Sequence, residues 1–132
     1  MVRIENWDLA LFEALAAAEA QPFSWADGGC MALALDCIAA MTGTLPIARP
    51  DLRDALDAKR WLRKNGHADL AAAMAAHLAE IHLSAAGRGD IGIIERDGNQ
   101  TAAVCAGLHW VARSEQGLVR VSRAEITRAF RV

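Results

Sequence analysis

The chain has 132 residues, of which 54% are hydrophobic and 5% aromatic, and its formal net charge is −2. This length predicts a single domain over residues 1–132, because a second hydrophobic core would need a longer chain. The composition excludes disordered and coiled-coil classes, and the near-neutral charge excludes a general binder of nucleic-acid phosphates. The longest apolar run, residues 31–35, is far shorter than the ~20 residues that cross a bilayer. With an acidic rather than basic start to the chain, the sequence predicts a soluble protein made in the bacterial cytoplasm, with no membrane insertion.

Apolar residues at helical spacing dominate the first half of the chain. Trp7, Leu11, Leu15 and Ala18 recur every three or four residues, which is the period of one buried helix face. The stretch that begins at Cys30 is almost continuously apolar, and its length and alanine content favour a buried helix over a strand. The predicted helices are residues 6–20, residues 30–41 with Gly43 as a left-handed cap, residues 51–64 with Asn65-Gly66 as their end, and residues 67–81.

The second half of the chain has the turns and alternation typical of strands. Asp97-Gly98-Asn99 predicts a hairpin turn, and Ser122 and Glu125 match the capping box that begins a helix. The predicted strands are residues 91–94, 101–106, 109–112 and 118–121, followed by a short helix at residues 122–128 and a last extended segment at residues 130–132. Helices followed by an antiparallel sheet give an α+β domain.

Cys30 is the first candidate for chemistry. The other two cysteines are Cys37 and Cys105, and the three form neither an even disulfide set nor a zinc-binding spacing. Cys30 lies where a glycine turn meets the buried helix, so unpaired N–H groups and the positive end of the helix dipole are expected to lower its thiol pKa and favour the thiolate. The alternative is a small apolar residue that fills a helix position, as expected for Cys37 and Cys105.

A cysteine nucleophile also needs a base, and His109 is the best candidate among four histidines. It lies on a predicted strand beside Trp110, although a half-buried strand histidine is often structural. His67 follows a helix end and is expected to be a solvated turn residue. His77 and His82 are five residues apart and lack the spacing of zinc proteases. The sequence therefore predicts no metal site and no cofactor.

Three carboxylates and a basic C-terminal region have possible local roles. Asp27 is expected to form a turn, Asp36 is unusual inside so apolar a helix, and Asp90 follows a glycine at a strand entrance. The arginines of the last twenty residues either dock a partner or alternate with acidic residues on a solvated edge.

Several short segments carry a resemblance that covers nearly the whole chain. They are Pro22-Phe23-x-Trp25, Cys30, Asp36, Thr42-Gly43, Arg63-Lys64-Asn65-Gly66, Arg88-Gly89-Asp90-Ile91, Gln116-Gly117-Leu118-Val119 and Arg128-Ala129-Phe130-Arg131-Val132. In this order they resemble a small family encoded in phages and prophages, often near tail genes, which is related to the NlpC/P60 cysteine peptidases. The resemblance implies a papain-like fold in which N-terminal helices pack on a C-terminal antiparallel sheet.

The resemblance makes Cys30 the counterpart of the NlpC/P60 nucleophile but leaves its base missing. In those peptidases an aspartate precedes the cysteine, and this chain has Gly29 there. Their histidine begins the strand after the Gly-Asp strand, and that position falls on Thr101, which cannot accept the thiol proton at neutral pH. His109 would have to substitute, yet it pairs near Ala106, roughly 16 Å along the strand from Thr101 at ~3.3 Å per residue.

Two functions compete at this point. The first is a phage or prophage tail component, at the tail tip or needed for tail assembly, whose degenerate domain binds other tail proteins in the virion. The second is an active cysteine hydrolase that cleaves peptidoglycan peptide stems, with Cys30 attacking the amide carbonyl and His109 or another histidine as base. A third possibility is a small host-side or immunity-type binding module unrelated to virions. It stays open because a resemblance in fold does not by itself establish an activity.

Overall fold

The computed structural model describes residues 2–132 and places four helices on a six-stranded antiparallel sheet. The helices are α1 (Trp7–Ala20), α2 (Ala32–Thr42), α3 (Ala55–Lys64) and α4 (Leu70–Ala75). The strands are β1 (Ala79–Ile81), β2 (Ile91–Arg96), β3 (Asn99–Cys105), β4 (Trp110–Ser114), β5 (Gly117–Val121) and β6 (Ile126–Arg131). This architecture confirms the predicted α+β class. Within residues 2–132 no helix is both long and apolar enough to cross a membrane.

The sheet has the strand order β1-β6-β2-β3-β4-β5. The β2–β3 hairpin turns at Asp97 and Gly98, which have φ values of 53° and 76°. Two successive positive φ angles match the twist of the flanking strands, so the predicted hairpin is confirmed. The chain then continues through β4 to the edge strand β5, and β6 returns to pair with β2 on its other side. The last strand therefore lies inside the sheet, between β1 and β2.

The predicted helix over residues 67–81 is wrong in its second half. Asp69 caps α4 by accepting a hydrogen bond from the Ala72 N–H at 2.8 Å, but α4 ends after six residues. The following Ala79–Ile81 segment is β1, whose Ile81 pairs with Ala129 of β6. Alanine-rich sequence favours a helix locally, and this strand pairing overrides that preference.

The predicted helix over residues 122–128 is also wrong beyond its first turn. The capping box is present, because the Ser122 side chain accepts from the Ala124 N–H at 3.2 Å and the Glu125 side chain accepts from the Ser122 N–H at 3.3 Å. Only Arg123–Glu125 is helical, as a 3-10 helix, and β6 begins at the next residue. A capping box marks where a helix begins, whereas pairing of β6 with β2 decides where this one ends.

Two smaller boundaries differ from the predictions at the helix starts. The third helix begins at Ala55 rather than at residue 51, because the Asp54 side chain accepts from the Asp57 N–H at 2.8 Å and forms the cap. The second begins with the 3-10 helix Gly29–Met31, and α2 follows from Ala32. Gly43 has a φ of 74° and ends α2 in the predicted left-handed conformation.

The sheet has a separate apolar cluster on each face. The larger cluster joins the helices to one face and includes fully buried Leu35, Ile38, Met41, Ile91 and Phe130. The smaller cluster on the opposite face contains Ile94, Ala103, Cys105, Trp110 and Ile126. Cys37 and Cys105 are buried in these clusters, as small apolar residues are expected to be.

A buried carboxylate, Asp90, joins the two ends of the described chain. Its Oδ1 lies 3.0 Å from Arg3 Nη2 and accepts from the Val132 N–H at 3.2 Å, while Oδ2 accepts from the Gly87 N–H at 2.9 Å. Arg3 Nε donates to the Val132 carbonyl at 2.9 Å, and the guanidinium lies 4.2 Å from the centre of the Trp7 ring. Asp90 therefore has a structural role at the entrance of β2.

We expect Asp90→Asn to lower the free energy of unfolding by roughly 3 kcal/mol, because it leaves a half-buried guanidinium without its counter-charge. Urea denaturation measures the loss. Glu80→Gln is the control, because it also removes a carboxylate from an arginine, Arg128 at 2.6 Å, but at the surface. Equal losses for the two variants would contradict the role assigned to Asp90.

We also expect Gly92→Ala to destabilise the fold. A Cβ atom at Gly92 would lie 2.7 Å from Trp110 Cζ3 and 2.9 Å from Ile126 Cγ2, so either the sheet or the indole must move, at a cost of about 1–3 kcal/mol. Thermal and urea unfolding measure this loss. Gly87→Ala is the matched control, because a Cβ there meets no heavy atom within 4 Å, and a similar effect at both glycines would refute the packing argument.

Candidate functional site

Cys30 lines an open cavity of about 410 Å³. One wall is α3, and the start of α4 and the beginning of β3 form other parts of the lining. The polar or charged side chains around it are Lys59, Arg63, Asp69, Asn99, Gln100, Thr101 and Glu115. The apolar ones are Trp25, Met31, Leu52, Ala55, Ala58, Leu62, Ala68 and Leu70. The predicted nucleophile is thus accessible from a cavity that can hold a ligand.

The local environment of Cys30 does not favour a thiolate. The residue is the middle one of the 3-10 helix Gly29–Met31, and its thiol lies 3.9 Å from the Gln100 carbonyl oxygen, to which it donates. Burial raises the pKa of the Cys30 thiol, and a backbone hydrogen bond offsets this rise only in part. The predicted lowering of this pKa is therefore wrong, because removal from water outweighs the backbone groups near the start of α2.

Packing around Gly29 excludes the aspartate that precedes the cysteine in NlpC/P60 peptidases. Gly29 has a φ of 60°, and a Cβ atom there would lie 2.5 Å from Cε3 of Trp25. The Trp25 ring is held in turn by an edge-on contact with Phe23, with ring centres 5.0 Å apart. No side chain fits at position 29 while Trp25 keeps this position, so the departure from the Asp-Cys pair is part of the packing.

The β3 residue beside Cys30 is Gln100. Side chains alternate between the faces of a strand. Ala102 packs with the helices, whereas Ala103 packs in the cluster on the opposite face. Gln100 therefore faces the helices and Thr101 faces away from them, although Thr101 also borders the cavity. Counting the alternation from the buried residues of β3 is the sequence signal that identifies Gln100.

The Gln100 side chain joins β3 to the start of α4. Its Oε1 accepts from the Ala71 N–H at 2.9 Å, and its Nε2 donates to Asp69 Oδ2 at 3.4 Å. An amide has no proton-accepting group that titrates near neutral pH. Gln100 can therefore position the cavity wall, but it cannot take the proton of the Cys30 thiol.

His109, the predicted base, lies away from Cys30. It precedes β4 opposite Ala106, whose N–H donates to the His109 carbonyl at 2.8 Å, and it lines a separate groove under α1 together with Arg88 and Leu118. From Thr101 to Ala106 the strand advances by five residues, about 16 Å at ~3.3 Å per residue. The structure does not bring His109 and Cys30 together.

The other histidines lie outside the Cys30 cavity as well. His67 and His77 line a third pocket with Arg49 and Trp61, and His82 contacts Ser84, with Nδ1 2.7 Å from Oγ. In the described part of the chain, residues 2–132, no histidine lines the Cys30 cavity, and no group of three His, Cys, Asp or Glu side chains could hold a metal ion.

The other candidate carboxylates and cysteines have surface or packing roles. Asp36 lies on the half-exposed side of α2 and forms an ion pair with Arg49, which explains its presence in an apolar helix. Asp27 is exposed in the turn before Cys30. Burial raises the pKa of Cys37 to about 12, so its thiol stays protonated at neutral pH.

The C-terminal arginines mostly bind groups of their own chain. Arg128 pairs with Glu80, and Arg123 donates to the Leu83 carbonyl at 2.9 Å. Arg113 is buried and donates to carbonyls at the end of α1, including that of Gln21 at 2.7 Å, where a cation complements the helix dipole. These contacts favour the structural interpretation of the basic region over the docking one.

We expect Cys30 to react slowly with iodoacetamide at neutral pH, with a rate that still rises above pH 9. The thiolate is the reactive form, and a raised pKa leaves less of it at any given pH. Mass spectrometry locates the label, and Cys30→Ser is the control, because the remaining Cys37 and Cys105 are buried and should react only in urea. A titration midpoint below the free value of about 8.5 would contradict this expectation.

We further expect Gln100→Lys to move that midpoint downward, and the matched variant Thr101→Lys to move it less. Residue 100 is on the helix-facing side of β3 and its carbonyl contacts the Cys30 thiol, so an ammonium group there, which stays charged at the pH of the titration, would stabilise the thiolate, whereas residue 101 borders the cavity from the other face of the strand. The opposite order of effects would refute the assignment of strand faces. Circular dichroism checks that both variants fold.

Comparison with known protein families gives a match that covers nearly the whole chain. A family model described as a domain of unknown function, DUF6950, matches residues 2–132. No curated protein matches the chain significantly. The chain belongs to the DUF6950 family.

Proposed function

We propose that this chain is a binding module whose NlpC/P60-like site lacks hydrolase chemistry, and that it serves as a tail-tip or tail-assembly component of a phage or prophage. One observation carries the non-catalytic part of this proposal: none of the residues that line the Cys30 cavity is a histidine. A cysteine hydrolase needs a base within hydrogen-bond reach of the nucleophile. The side chain of Gln100, the β3 residue whose carbonyl contacts the thiol, is bound to α4 and cannot act as one.

The state of the thiol supports the same proposal. A free thiol of pKa about 8.5 is roughly 3% ionised at pH 7, and burial of Cys30 reduces this fraction further. Within residues 2–132, no histidine lines the cavity to restore it. A protonated thiol in an apolar surrounding acts as part of a binding surface.

The tail location is supported by the family resemblance of the sequence. The segments Pro22-Phe23-x-Trp25 to Gly43 and Arg88-Gly89-Asp90-Ile91 follow the order seen in phage-encoded relatives of the NlpC/P60 peptidases. The order of helices and antiparallel strands is compatible with a papain-like arrangement. In this proposal the partners are other tail proteins, and the protein is carried in the virion tail.

We expect the purified protein to release no peptide fragments from peptidoglycan sacculi, and Cys30→Ala to give the same result. Chromatography and mass spectrometry of the soluble fraction measure release, with an active cell-wall endopeptidase as the positive control. Stem cleavage that is lost in Cys30→Ala would replace this proposal with the active cysteine hydrolase.

The tail location has its own test. Mass spectrometry of particles purified from an induced lysate should detect the chain in constant ratio to known tail proteins. Its absence from particles would instead favour a host-side binding module.

A further inference from the structure

We propose that the Cys30 cavity binds an acidic segment of a partner protein, with an apolar side chain inside the cavity and flanking carboxylates on Lys59 and Arg63. This inference rests on the proposed function, because it names the chemistry of the partner that a non-catalytic site would bind. It is carried by the unusual exposure of α3, by the charges along that helix and by the apolar lining of the cavity.

The face of α3 that lines the cavity is only partly covered by the rest of the protein. Its members are Ala55, Ala58, Lys59, Leu62 and Arg63, and their spacing is that of one helix face. Leu62 packs in part against the larger core cluster and Ala58 is half-buried, whereas the other three are exposed. No residue of α3 is fully buried, so the exposed part of this face is available to a ligand.

The cations on α3 are free, in contrast to the C-terminal arginines. Lys59, Arg60, Arg63 and Lys64 are exposed, and within residues 2–132 none of the four forms an ion pair with a carboxylate. Lys59 and Arg63 are four residues apart and line the cavity, whereas Arg60 and Lys64 do not. The α3 wall of the cavity therefore attracts a negatively charged group.

The two acidic side chains of the cavity equal Lys59 and Arg63 in number but do not belong to α3, so the positive charge is confined to the α3 wall. Asp69 accepts from the Ala72 N–H at 2.8 Å and from Gln100 at 3.4 Å, so its carboxylate is used as a helix cap. Glu115 lies on the exposed turn between β4 and β5. A nucleic acid needs an uninterrupted basic track for its continuous run of phosphates, and these two carboxylates would repel it. A short acidic peptide can bind Lys59 and Arg63 without contacting either carboxylate.

The interior of the cavity adds an apolar contribution. Trp25, Leu52, Leu62 and Leu70 contribute to its lining, and the thiol of Cys30 lies among them. A volume of about 410 Å³ is in the range of sites that enclose a small ligand or a few side chains. Burial of an apolar side chain supplies affinity, while Lys59 and Arg63 select for flanking carboxylates.

A displayed library of random dodecapeptides, selected against the immobilised full-length chain, tests this inference. The double variant K59Q/R63Q removes the two cations that line the cavity. The matched double variant R60Q/K64Q removes the same charge from the same helix outside the cavity. Circular dichroism confirms that both fold, and fluorescence polarisation of the enriched peptides, synthesised with a dye, gives their affinities.

We expect enrichment of peptides that combine Asp or Glu with a large apolar residue. Their affinity should fall roughly tenfold in K59Q/R63Q, change little in R60Q/K64Q, and weaken with added salt. The inference is overturned by neutral or basic consensus peptides, by no enrichment at all, or by equal losses in both variants. It is also overturned if a labelled oligothymidylate binds more tightly than the peptides through Lys59 and Arg63.

These outcomes are distinguishable from failure of the proposed function. If sacculi are cleaved but acidic peptides still bind through Lys59 and Arg63, the site chemistry is hydrolytic and the partner assignment stands. If no peptide is enriched and sacculi remain intact, the non-catalytic proposal stands and the acidic partner is rejected.

Discussion

The position of the sheet depends on the buried carboxylate of Asp90. Its side chain binds Arg3 and the Val132 N–H, so it holds both ends of the described chain at the entrance of β2. Its backbone carbonyl accepts from the Cys105 N–H at 2.9 Å, which fixes β3 against β2. Ile91, the next residue, is paired with Val104 on one side and Phe130 on the other. The side chain and backbone of Asp90 therefore hold β2, β3 and the residue after β6 together at one point, and the buried charge is stable there because cation and N–H donors surround it.

The elements that follow from local chemistry are predictable from the sequence, and those that depend on distant pairing are not. The apolar spacing of α1 and the Asp97-Gly98 turn act within a few residues, and both are found as predicted. β1 exists because Ile81 pairs with Ala129, 48 residues further along the chain, and no pattern near Ile81 indicates this. The capping box at Ser122 shows the same limit, because it identifies the start of a turn but carries no information about the strand that follows.

The same contrast holds within the candidate site, where features set by neighbouring residues are predictable and contacts with distant residues are not. The sequence places Cys30 after a glycine turn and before a buried helix, and the structure agrees. The sequence cannot show that the Trp25 ring covers Gly29, nor that residues of α3 and β3 line the same cavity. The pKa of the Cys30 thiol is raised rather than lowered, because the sequence does not reveal how strongly the fold removes this thiol from water. The sequence identifies Gln100 only through the alternation of side chains along β3, because no motif marks this residue.

The residues beside the expected catalytic positions also shape the cavity. The Trp25 ring occupies the space that a side chain at Gly29 would need, and the same ring lines the cavity. Gln100 binds the start of α4 and thereby fixes the positions of Leu70 and Asp69, which also line the cavity. With its thiol protonated, Cys30 adds a small apolar surface between them. Each of these residues has a packing role, so converting the site to a hydrolase would require changes at several positions together. This mutual dependence is the physical reason to propose the cavity as a binding surface.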